Sequence, residues 1–402
     1  MKTLLFVGAG RHQRRAIVRA RELGHRVVAV DRNPDAPGLA EADAAEVVDF
    51  VHVDAIVDVG QRHAVDGVLT VSADRAVPVV AAVAEDLGLP GIGRQTAHLM
   101  THKVAMRRSL AEGGVPQPQF AAIRAWREAP AAAETVGFPA VLKPADSGGQ
   151  RGLFLLRSFA DLERHFHAAL AESPTGETIL EEFTDGLELN GLIVARGGEP
   201  YPLLLSDRLR PHGEGFGVGW IHSYPSRLFG DALEEAQRVA LRAVRTLGLR
   251  DGIAFPQLIV RDDGTAQVVE VAARIPGGQM ADLAFHALGV DLVQIALRQA
   301  LGEEVPDELV VPRISRPTAI RFLTAHPGPL PVGKVRKVGG LDRVLEAPGV
   351  DQADVFLQVG EVIRPVRLDG DRRGYVIATG DTNVQALELA ESAARLLYVE
   401  TE

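Results

Sequence analysis

One carboxylate, Glu270, lies inside an apolar run in the stretch VVEVAARIPGGQM, residues 268–280, and Arg274 follows it four residues later. The valines and the alanine around Glu270 predict a buried strand, where an unpaired carboxylate is costly unless its charge is compensated. Two interpretations are open at this point. Either Arg274 pairs with Glu270 within the protein, or a bound cation compensates the carboxylate.

A second chemical feature is the stretch GFPAVLKPADSGGQRGLFLL, residues 137–156, in which a strand ends at Lys143 and Pro144 breaks it. Small residues then let backbone amides approach an anion; they are Ser147, Gly148, Gly149 and Gly152. The pattern predicts a phosphate-binding loop with a cation at its base. It is not a Walker loop, because the lysine precedes the glycines and both flanks are strands. The alternative is an ordinary glycine-rich hairpin with a solvated lysine.

A group of acids follows in TILEEFTDGLELN, residues 178–190, where Glu181 and Glu182 end an apolar strand and Glu188 comes just after a turn. Carboxylates in such places can accept hydrogen bonds from an adenine amino group or from ribose hydroxyls. Simple solvation of these side chains is the alternative.

The stretch GIAFPQLIVRDDGTAQVVEVAAR, residues 252–274, predicts a hairpin whose register can be worked out. If residues 262–265 form the loop and Arg261 pairs with Ala266, Gln257 lies directly opposite Glu270. Two oxygen ligands would then converge on one point. On this register both side chains share a face with Ile259, Val268 and Ala272, and Arg274 continues that face.

Composition excludes several classes of protein. The 402 residues are 46% hydrophobic and contain no cysteine, so disulfides, cysteine-ligated metals and cysteine nucleophiles are excluded, and two or three α/β domains are expected. The formal net charge of -10, with scattered arginines, argues against nucleic-acid binding and favours a small-molecule partner. The first residues contain too short an apolar run for a signal peptide, and no apolar window is long enough for a membrane span. We therefore expect a soluble, cytoplasmic protein with no membrane partner.

The order of predicted elements begins with a βαβ unit: strand TLLFVGAG, a helix from about Gln13 to Leu23, and strand RVVAVD. A strand at 67–71 and a helix at 77–87 complete a first domain. A helix at 102–111 and strands AVLKP, GLFLLR, TILEEF and LELNGLIVA follow, interrupted by helices at 158–172 and 231–248. After the hairpin we predict one helix at 281–301, the strands DVFLQV and RGYVIATGD, and a terminal helix at 383–397.

The opening VGAGRHQ contains half of a dinucleotide-binding fingerprint, with Gly8 and Gly10 at the strand-to-helix turn and Asp31 at the end of the next strand. Gln13 stands where a third glycine would permit close packing of the helix on the sheet. An NAD-dependent oxidoreductase is one interpretation, although it leaves Lys143 and its glycine loop unexplained. A tight βα turn that binds something else, or nothing, is the other.

Taken in this order along the chain, these features resemble the ATP-grasp superfamily and, within it, the carboxylate-amine ligases, including L-amino acid ligases and carbamoyl-phosphate synthase. The resemblance implies α/β and α+β architecture: a Rossmann-like domain at 1–95, a two-subdomain ATP-grasp clamp at 96–305 and a small C-terminal α+β domain at 306–402. It implies ATP and Mg²⁺ as cofactors, small-molecule carboxylate and amine substrates, and a possible homodimer. The implied reaction is formation of an amide or peptide bond through an acyl phosphate.

The resemblance also implies roles for individual residues. Lys103 and Lys143 resemble the two phosphate lysines, residues 147–152 the flexible loop over the phosphates, and Glu270 with Arg274 the E-x-N-x-R run that holds magnesium and the reacting phosphate. The remaining nucleotide contacts would be Glu181, Glu182, Phe183 and Glu188. Substrate contacts would be Gly277, Gly278, His222 and Arg274, with a loop containing Gly213, Gly215, Gly217 and Gly219 nearby and Tyr224 as another possible contact.

Two positions depart from the family pattern, since Gln257 replaces a usual glutamate and Ala272 a usual asparagine. Both changes remove or weaken a metal ligand. With Glu270, Gln257 is therefore expected to form a site for a single magnesium ion. A catalytically silent ATP-binding sensor is the alternative that these departures favour.

Overall fold

The structure is a computed structural model that describes residues 1–210 and 217–402. Its N-terminal region is a parallel sheet covered by helices on both faces, which explains why its first two strands are continuous apolar runs. The strands are β1 (Thr3–Val7), β2 (Arg26–Asp31), β3 (Ala44–Val47) and β4 (Gly67–Leu69), in the order β3–β2–β1–β4. The helices are α1 (Arg11–Glu22), α2 (Val53–Arg62) and α3 (Val77–Asp86). The βαβ opening is confirmed, whereas β3 and α2 were not predicted.

The next region forms a small antiparallel sheet that carries the glycine loop on one of its hairpins. Two helices precede it, α4 (Arg94–Leu99) and α5 (Lys103–Glu112). The sheet order is β5–β8–β6–β7, from strands β5 (Phe120–Ile123), β6 (Ala140–Pro144), β7 (Phe154–Leu156) and β8 (Thr178–Glu182). Helices α6 (Ala129–Val136) and α7 (Phe159–Ala171) pack on it through a shared apolar cluster.

A long antiparallel sheet forms the centre of the molecule and continues into the C-terminal region. Its order is β13–β12–β9–β10–β11–β14–β18–β16. Its strands are β9 (Leu187–Arg196), β10 (Glu199–Leu209), β11 (Ile221–Tyr224), β12 (Gly252–Val260), β13 (Ala266–Ala273), β14 (Thr318–Phe322), β16 (Val350–Val355) and β18 (Gly374–Thr379). Because β11 pairs with β14, the chain on the two sides of the predicted boundary at 305/306 shares one sheet. The two boundaries between the three domains, at 95/96 and 305/306, stay predictions.

The remaining elements cover this sheet and complete the C-terminal region. The helices are α8 (Gly230–Thr246), α9 (Met280–Leu288), α10 (Leu292–Ala300), α11 (Asp307–Val310), α12 (Leu341–Leu345) and α13 (Asn383–Ala394). A small sheet of order β17–β15–β19 is formed by β15 (Gly333–Gly339), β17 (Val362–Ile363) and β19 (Tyr398–Thr401). The prediction of a strand at DVFLQV, residues 354–359, is largely wrong, because β16 ends at Val355 and residues 356–359 are not in a strand.

The single helix predicted at 281–301 is wrong, because the chain forms α9 and α10 with a bend between them. Gly289 adopts a left-handed conformation (φ 70°) that ends α9. The carboxylate of Asp291 then accepts hydrogen bonds from the amides of Val293 and Gln294 and begins α10. Across residues 1–210 and 217–402, no single helix is long and apolar enough to cross a membrane; α9 and α10 meet that test only as a pair bent by 115°.

The hairpin β12–β13 brings Gln257 opposite Glu270 as predicted, but through a different register. Val260, and not Arg261, pairs with Ala266, and an irregularity between Gln257 and Leu258 restores the pairing of Gln257 with Glu270. The same irregularity turns Val268 to the opposite face, where it packs in the core against α8. The predicted shared face is therefore wrong for Val268.

The N-terminal sheet docks against the end of this hairpin. Val71 forms a parallel bridge with Ile275, and the amide of Ser72 donates to the carbonyl of Ile275 at 3.0 Å. This contact places the segment after β4 beside the residues that follow Glu270.

Candidate active site

Two pockets lie on the same face of the central sheet and share part of their walls. The first, here called the lysine pocket, is lined by Lys103, Lys143, Ser147, Glu181, Glu182, Phe183 and Glu188, among others. The second, the arginine pocket, is lined by Arg11, His222, Arg274, Gly277, Gly278, Phe322 and Arg372, among others. Both are bounded by Gly148, Gly149, Gln150, Arg208, Gln257 and Glu270. Glu270 and Gln257 therefore stand at the junction of the two pockets.

Lys143 is held at the base of the lysine pocket by a buried carboxylate. Strand β6 continues through Pro144, contrary to the expectation that this proline breaks it, and Lys143 is the residue before its end. Nζ of Lys143 lies 2.7 Å from Oε2 of Glu181, whose Oε1 is 2.9 Å from Nε of Arg107. Burial opposes ionisation of Glu181, but the two cations outweigh it and lower the pKa of this carboxyl to about 2. Burial lowers the pKa of Lys143, although Glu181 opposes the shift. The carboxylate of Glu181 is thus occupied by cations, and a contact with adenine through this side chain is not supported.

Lys103 links the glycine loop to Glu270. It is the first residue of helix α5. Its Nζ donates to the carbonyl oxygen of Ser147 in the glycine loop at 2.7 Å and lies 3.6 Å from Oε1 of Glu270 on strand β13. Glu270 is not fully buried, since its side chain is 30% exposed to the cleft. We expected Glu270 to be buried, and the structure shows it partly exposed. Its carboxylate is therefore accessible to a ligand in the cleft.

Arg274 pairs with a residue of the N-terminal region, not with Glu270. Its Nε and Nη2 lie 2.7 Å and 2.6 Å from Oδ1 of Asp74. Burial alone would raise the pKa of Asp74, but the charges of Arg274 and Lys103 lower it below its ordinary value. The Glu270–Arg274 ion pair considered from the sequence is wrong, because the docked N-terminal sheet supplies a different carboxylate.

The residues at the junction fit a magnesium ion that also binds phosphate oxygens. Gln257 donates from Nε2 to Oδ1 of Asn190 at 3.3 Å, which leaves its amide oxygen for the cleft beside Glu270. Within the described part of the chain, no group of three or more histidines, cysteines, aspartates or glutamates could hold a metal. One carboxylate and one amide oxygen match the preference of Mg²⁺ for oxygen ligands and leave the other positions to phosphate and water.

The glycine loop is divided between the cleft and the core of the small sheet. Gly148 and Gly149 line both pockets, and a Cβ added at Gly148 would lie 3.0 Å from Oδ2 of Asp74. Gly152 lines neither pocket: it adopts φ 67°, and a Cβ there would lie 2.8 Å from Pro144. The structure therefore brings Gly148 and Gly149, but not Gly152, to the cleft.

The remaining predicted residues are distributed around the two pockets. Glu188 forms ion pairs with Arg208 and with Arg210 in the lysine pocket. Glu182 lies 3.1 Å from Nη2 of Arg261, and the amide of Phe183 donates to the carbonyl of Pro139. Gly277, Gly278 and His222 line the arginine pocket, whereas Tyr224 does not. Gly213 and Gly215 lie outside the described residues.

Several residues of the site were missed from the sequence. Arg107 follows Lys103 by four residues on α5, so helical periodicity could have placed both on one face. Asp74, Asn190, Arg208 and Arg372 carry no comparable signal. They reach the cleft from separate elements, and only the tertiary structure brings them together.

The dinucleotide-binding interpretation of VGAGRHQ is not supported. Oδ2 of Asp31 accepts a hydrogen bond from the amide of Ala9 at 2.8 Å, and Oδ1 accepts one from Asn33 at 2.9 Å. The side chain of Gln13 fills the space beside Gly8 and donates to the carbonyl of Val71. These contacts tie the loop to the N-terminal sheet and occupy the carboxylate that would bind a ribose.

Three family models match this chain. They are the ATP-grasp N-terminal domain at residues 17–91, the ATP-binding domain of the carbamoyl-phosphate synthase L chain at 102–190, and the L-amino acid ligase C-terminal domain 2 at 323–402. The formate-dependent phosphoribosylglycinamide formyltransferase of Ignicoccus hospitalis is 29% identical over 410 residues, which cover 98% of this chain and 95% of that protein.

Solved structures confirm the expected fold. The L-amino acid ligase of Bacillus licheniformis superposes with a TM-score of 0.85 at 20% identity, covering 100% of this chain and 99% of that one. The biotin carboxylase domain of the Hydrogenobacter thermophilus 2-oxoglutarate carboxylase, a dimer in complex with MgADP, ADP and bicarbonate, gives 0.78 at 19% identity, with 99% and 90% covered.

Proposed function

We propose that the chain is an ATP- and Mg²⁺-dependent ligase of the ATP-grasp superfamily, and that it joins a small carboxylate to an amine through an acyl phosphate. The observation that carries this proposal is the junction of the lysine and arginine pockets at Glu270 and Gln257. A pocket suited to phosphates that opens into a second pocket lined by arginines is the arrangement that transfer of a phosphoryl group from ATP to a carboxylate requires.

We assign the lysine pocket to ATP. Lys103, Lys143 and the backbone of Gly148 and Gly149 would contact the phosphates, since cations and free amides stabilise negative charge on oxygen. The nucleoside end would lie against Glu182, Phe183 and Glu188, which line the same pocket.

ATP would supply the phosphoryl group that converts the carboxylate into an acyl phosphate, from which the amine then displaces phosphate. Glu270 and Gln257 would hold Mg²⁺, which would neutralise part of the phosphate charge. The contribution of the protein is positioning and electrostatic stabilisation, because phosphoryl transfer needs no side-chain nucleophile. Asp74 holds the guanidinium of Arg274 facing the junction, where its charge would stabilise the transferred phosphoryl group or the acyl oxyanion.

We assign the arginine pocket to the carboxylate and amine substrates. Arg274 and the amides of Gly277 and Gly278 would orient the carboxylate, with His222 beside them. The wall also contains Arg11 and Arg372, and Arg372 is paired with Asp369 at 2.9 Å, so Arg11 is the cation that would meet an additional anionic group of a substrate. The partners are therefore small molecules, and a homodimer and a cytoplasmic location remain part of the proposal.

The test is phosphate release from ATP over a matrix of carboxylates and amines, with the product identified by mass. Amide formation with one ADP per amide is expected. Binding of ATP without phosphate release over the whole matrix would support the silent sensor, which the replacement of two usual ligand positions by Gln257 and Ala272 also favours.

A further inference from the structure

A chain of hydrogen bonds connects the proposed metal ligand Gln257 to His222 on the far side of the junction. Nε2 of Gln257 donates to Oδ1 of Asn190 at 3.3 Å, and Nδ2 of Asn190 lies 3.0 Å from Nδ1 of His222. Asn190 is fully buried and His222 is 4% exposed. The three side chains come from strands β12, β9 and β11, so the central sheet fixes their spacing. We call this chain the amide relay.

The relay has a direction, because each amide has one donating end and one accepting end. Nδ2 of Asn190 also lies 3.9 Å from Sδ of Met280. A thioether accepts hydrogen bonds but cannot donate them, so Met280 favours the nitrogen of Asn190 on this side. With that orientation Asn190 donates to His222 and accepts from Gln257.

His222 is neutral in this setting. Its burial lowers its pKa well below the ordinary value, and the charges of Arg372 and Arg208 act in the same direction. A neutral imidazole carries one proton on two nitrogens, and the nitrogen that accepts a hydrogen bond cannot carry it. Since Nδ1 accepts from Asn190, the proton is on Nε2.

The Nε2 atom of His222 faces the backbone where the substrate carboxylate would bind. A Cβ added at Gly278 would lie 3.3 Å from Nε2, and both residues line the arginine pocket. A proton on Nε2 makes this atom a donor toward an acyl oxygen, whereas a bare Nε2 would repel that oxygen.

We propose that the amide relay fixes the tautomer of His222. The side-chain amide of Gln257, whose oxygen would bind the metal, donates to Asn190, and Asn190 in turn keeps the imidazole proton of His222 on Nε2 in the substrate pocket. Asn190 is then a positioning residue for His222. A carboxylate at position 257 can only accept, so it would turn the nitrogen of Asn190 toward itself. The oxygen of Asn190 would face His222 and move the imidazole proton to Nδ1. The hydrogen bonds of the amide relay and the tautomer of His222 do not depend on which reaction the protein catalyses. Only the role of Gln257 as a metal ligand rests on the proposed function.

The tautomer can be measured directly by NMR of protein labelled with [¹⁵N]histidine, since the two neutral forms of imidazole give different patterns of two-bond couplings. The chain has 12 histidines, and the signal of His222 is identified by its loss in His222→Gln. Wild type is compared with Gln257→Glu, without nucleotide and with MgADP. Gln267→Glu is the matched control: it adds the same charge on β13, but the Gln267 side chain contacts Thr184, outside the relay.

The expected result is a proton on Nε2 in wild type and in Gln267→Glu, and on Nδ1 in Gln257→Glu. Asn190→Asp, whose side chain also only accepts, is expected to move the proton to Nδ1 and serves if Gln257→Glu does not fold. The proposal is overturned by a proton on Nδ1 in wild type, by an equal mixture there, or by an unchanged tautomer in the folded variants. Lack of ATP turnover in wild type would refute the ligase proposal while leaving the tautomer result intact.

Discussion

Replacing Lys143 by methionine should separate nucleotide binding from stability, because this lysine contributes little to the fold. Its pKa is lowered, which means that burial of the charge costs more than the pairing with Glu181 returns. Arg107 still compensates Glu181 at 2.9 Å after the lysine is removed. We therefore expect Lys143→Met to change the free energy of unfolding by no more than about 1 kcal/mol.

The same substitution, Lys143→Met, should weaken the binding of MgADP much more than it changes the free energy of unfolding. A hydrogen bond between a charged donor and a phosphate contributes about 1.5–3 kcal/mol, so the dissociation constant should rise about 10- to 150-fold, and ATP turnover should be lost. Isothermal titration calorimetry measures the affinity and urea unfolding measures the stability.

Arg107→Met is the matched control, because it removes the other cation of Glu181 but no group that lines either pocket. Arg107 also donates to the carbonyl oxygens of Val268 and Val269, both at 2.7 Å, so its loss leaves buried acceptors without a partner. We expect about 3–5 kcal/mol of lost stability. If Lys143→Met is as destabilised as Arg107→Met and binds MgADP with wild-type affinity, Lys143 is a structural residue and not a phosphate ligand.

Three further predictions concern the same site. Glu270→Gln should remove nearly all ATP turnover in a magnesium titration, since it removes the carboxylate at the junction; full activity would show that Glu270 serves only as the partner of Lys103. Hydrogen exchange at residues 147–152 should slow when MgATP is added, and equal rates in both states would count against a loop that closes over phosphates. Glu181 is charged in the fold with a pKa of about 2, below its ordinary 4.5, so it contributes stability above pH 4.5 that is lost as the pH falls toward 2. Urea unfolding of wild type and Glu181→Gln should therefore converge at low pH, and a constant difference would contradict this assignment.

Local patterns in the sequence predicted much of the fold. The continuous apolar runs of β1 and β2, the alternation in the hairpin, and Lys143 directly before a glycine-rich loop all depend on neighbours close in the chain. The pairing of Gln257 with Glu270 was also predicted, although the register from which it was derived was wrong. An irregularity that shifts one residue leaves little trace in a pattern of valines, so Val268 was assigned to the wrong face.

The bend between α9 and α10 could have been found from the sequence. Gly289 and Asp291 have the residue types that end one helix and begin the next, two positions apart. The apolar periodicity continues through both helices, and it outweighed these local signals in the prediction of one long helix.

The sequence by itself determined the types of chemistry present: two lysines and a glycine loop for phosphate, one carboxylate and one amide for a metal, and an arginine nearby. Only the tertiary structure decided which of these groups pair with one another. Arg274 pairs with Asp74, which is 200 residues away in the sequence, because the N-terminal sheet docks on the end of β13. Glu181 forms ion pairs with Arg107 and Lys143, and His222 forms a hydrogen bond with Asn190 across the central sheet. Charges and hydrogen bonds act over a few ångströms of space, and in a chain of 402 residues proximity in space is set by how the sheets pack.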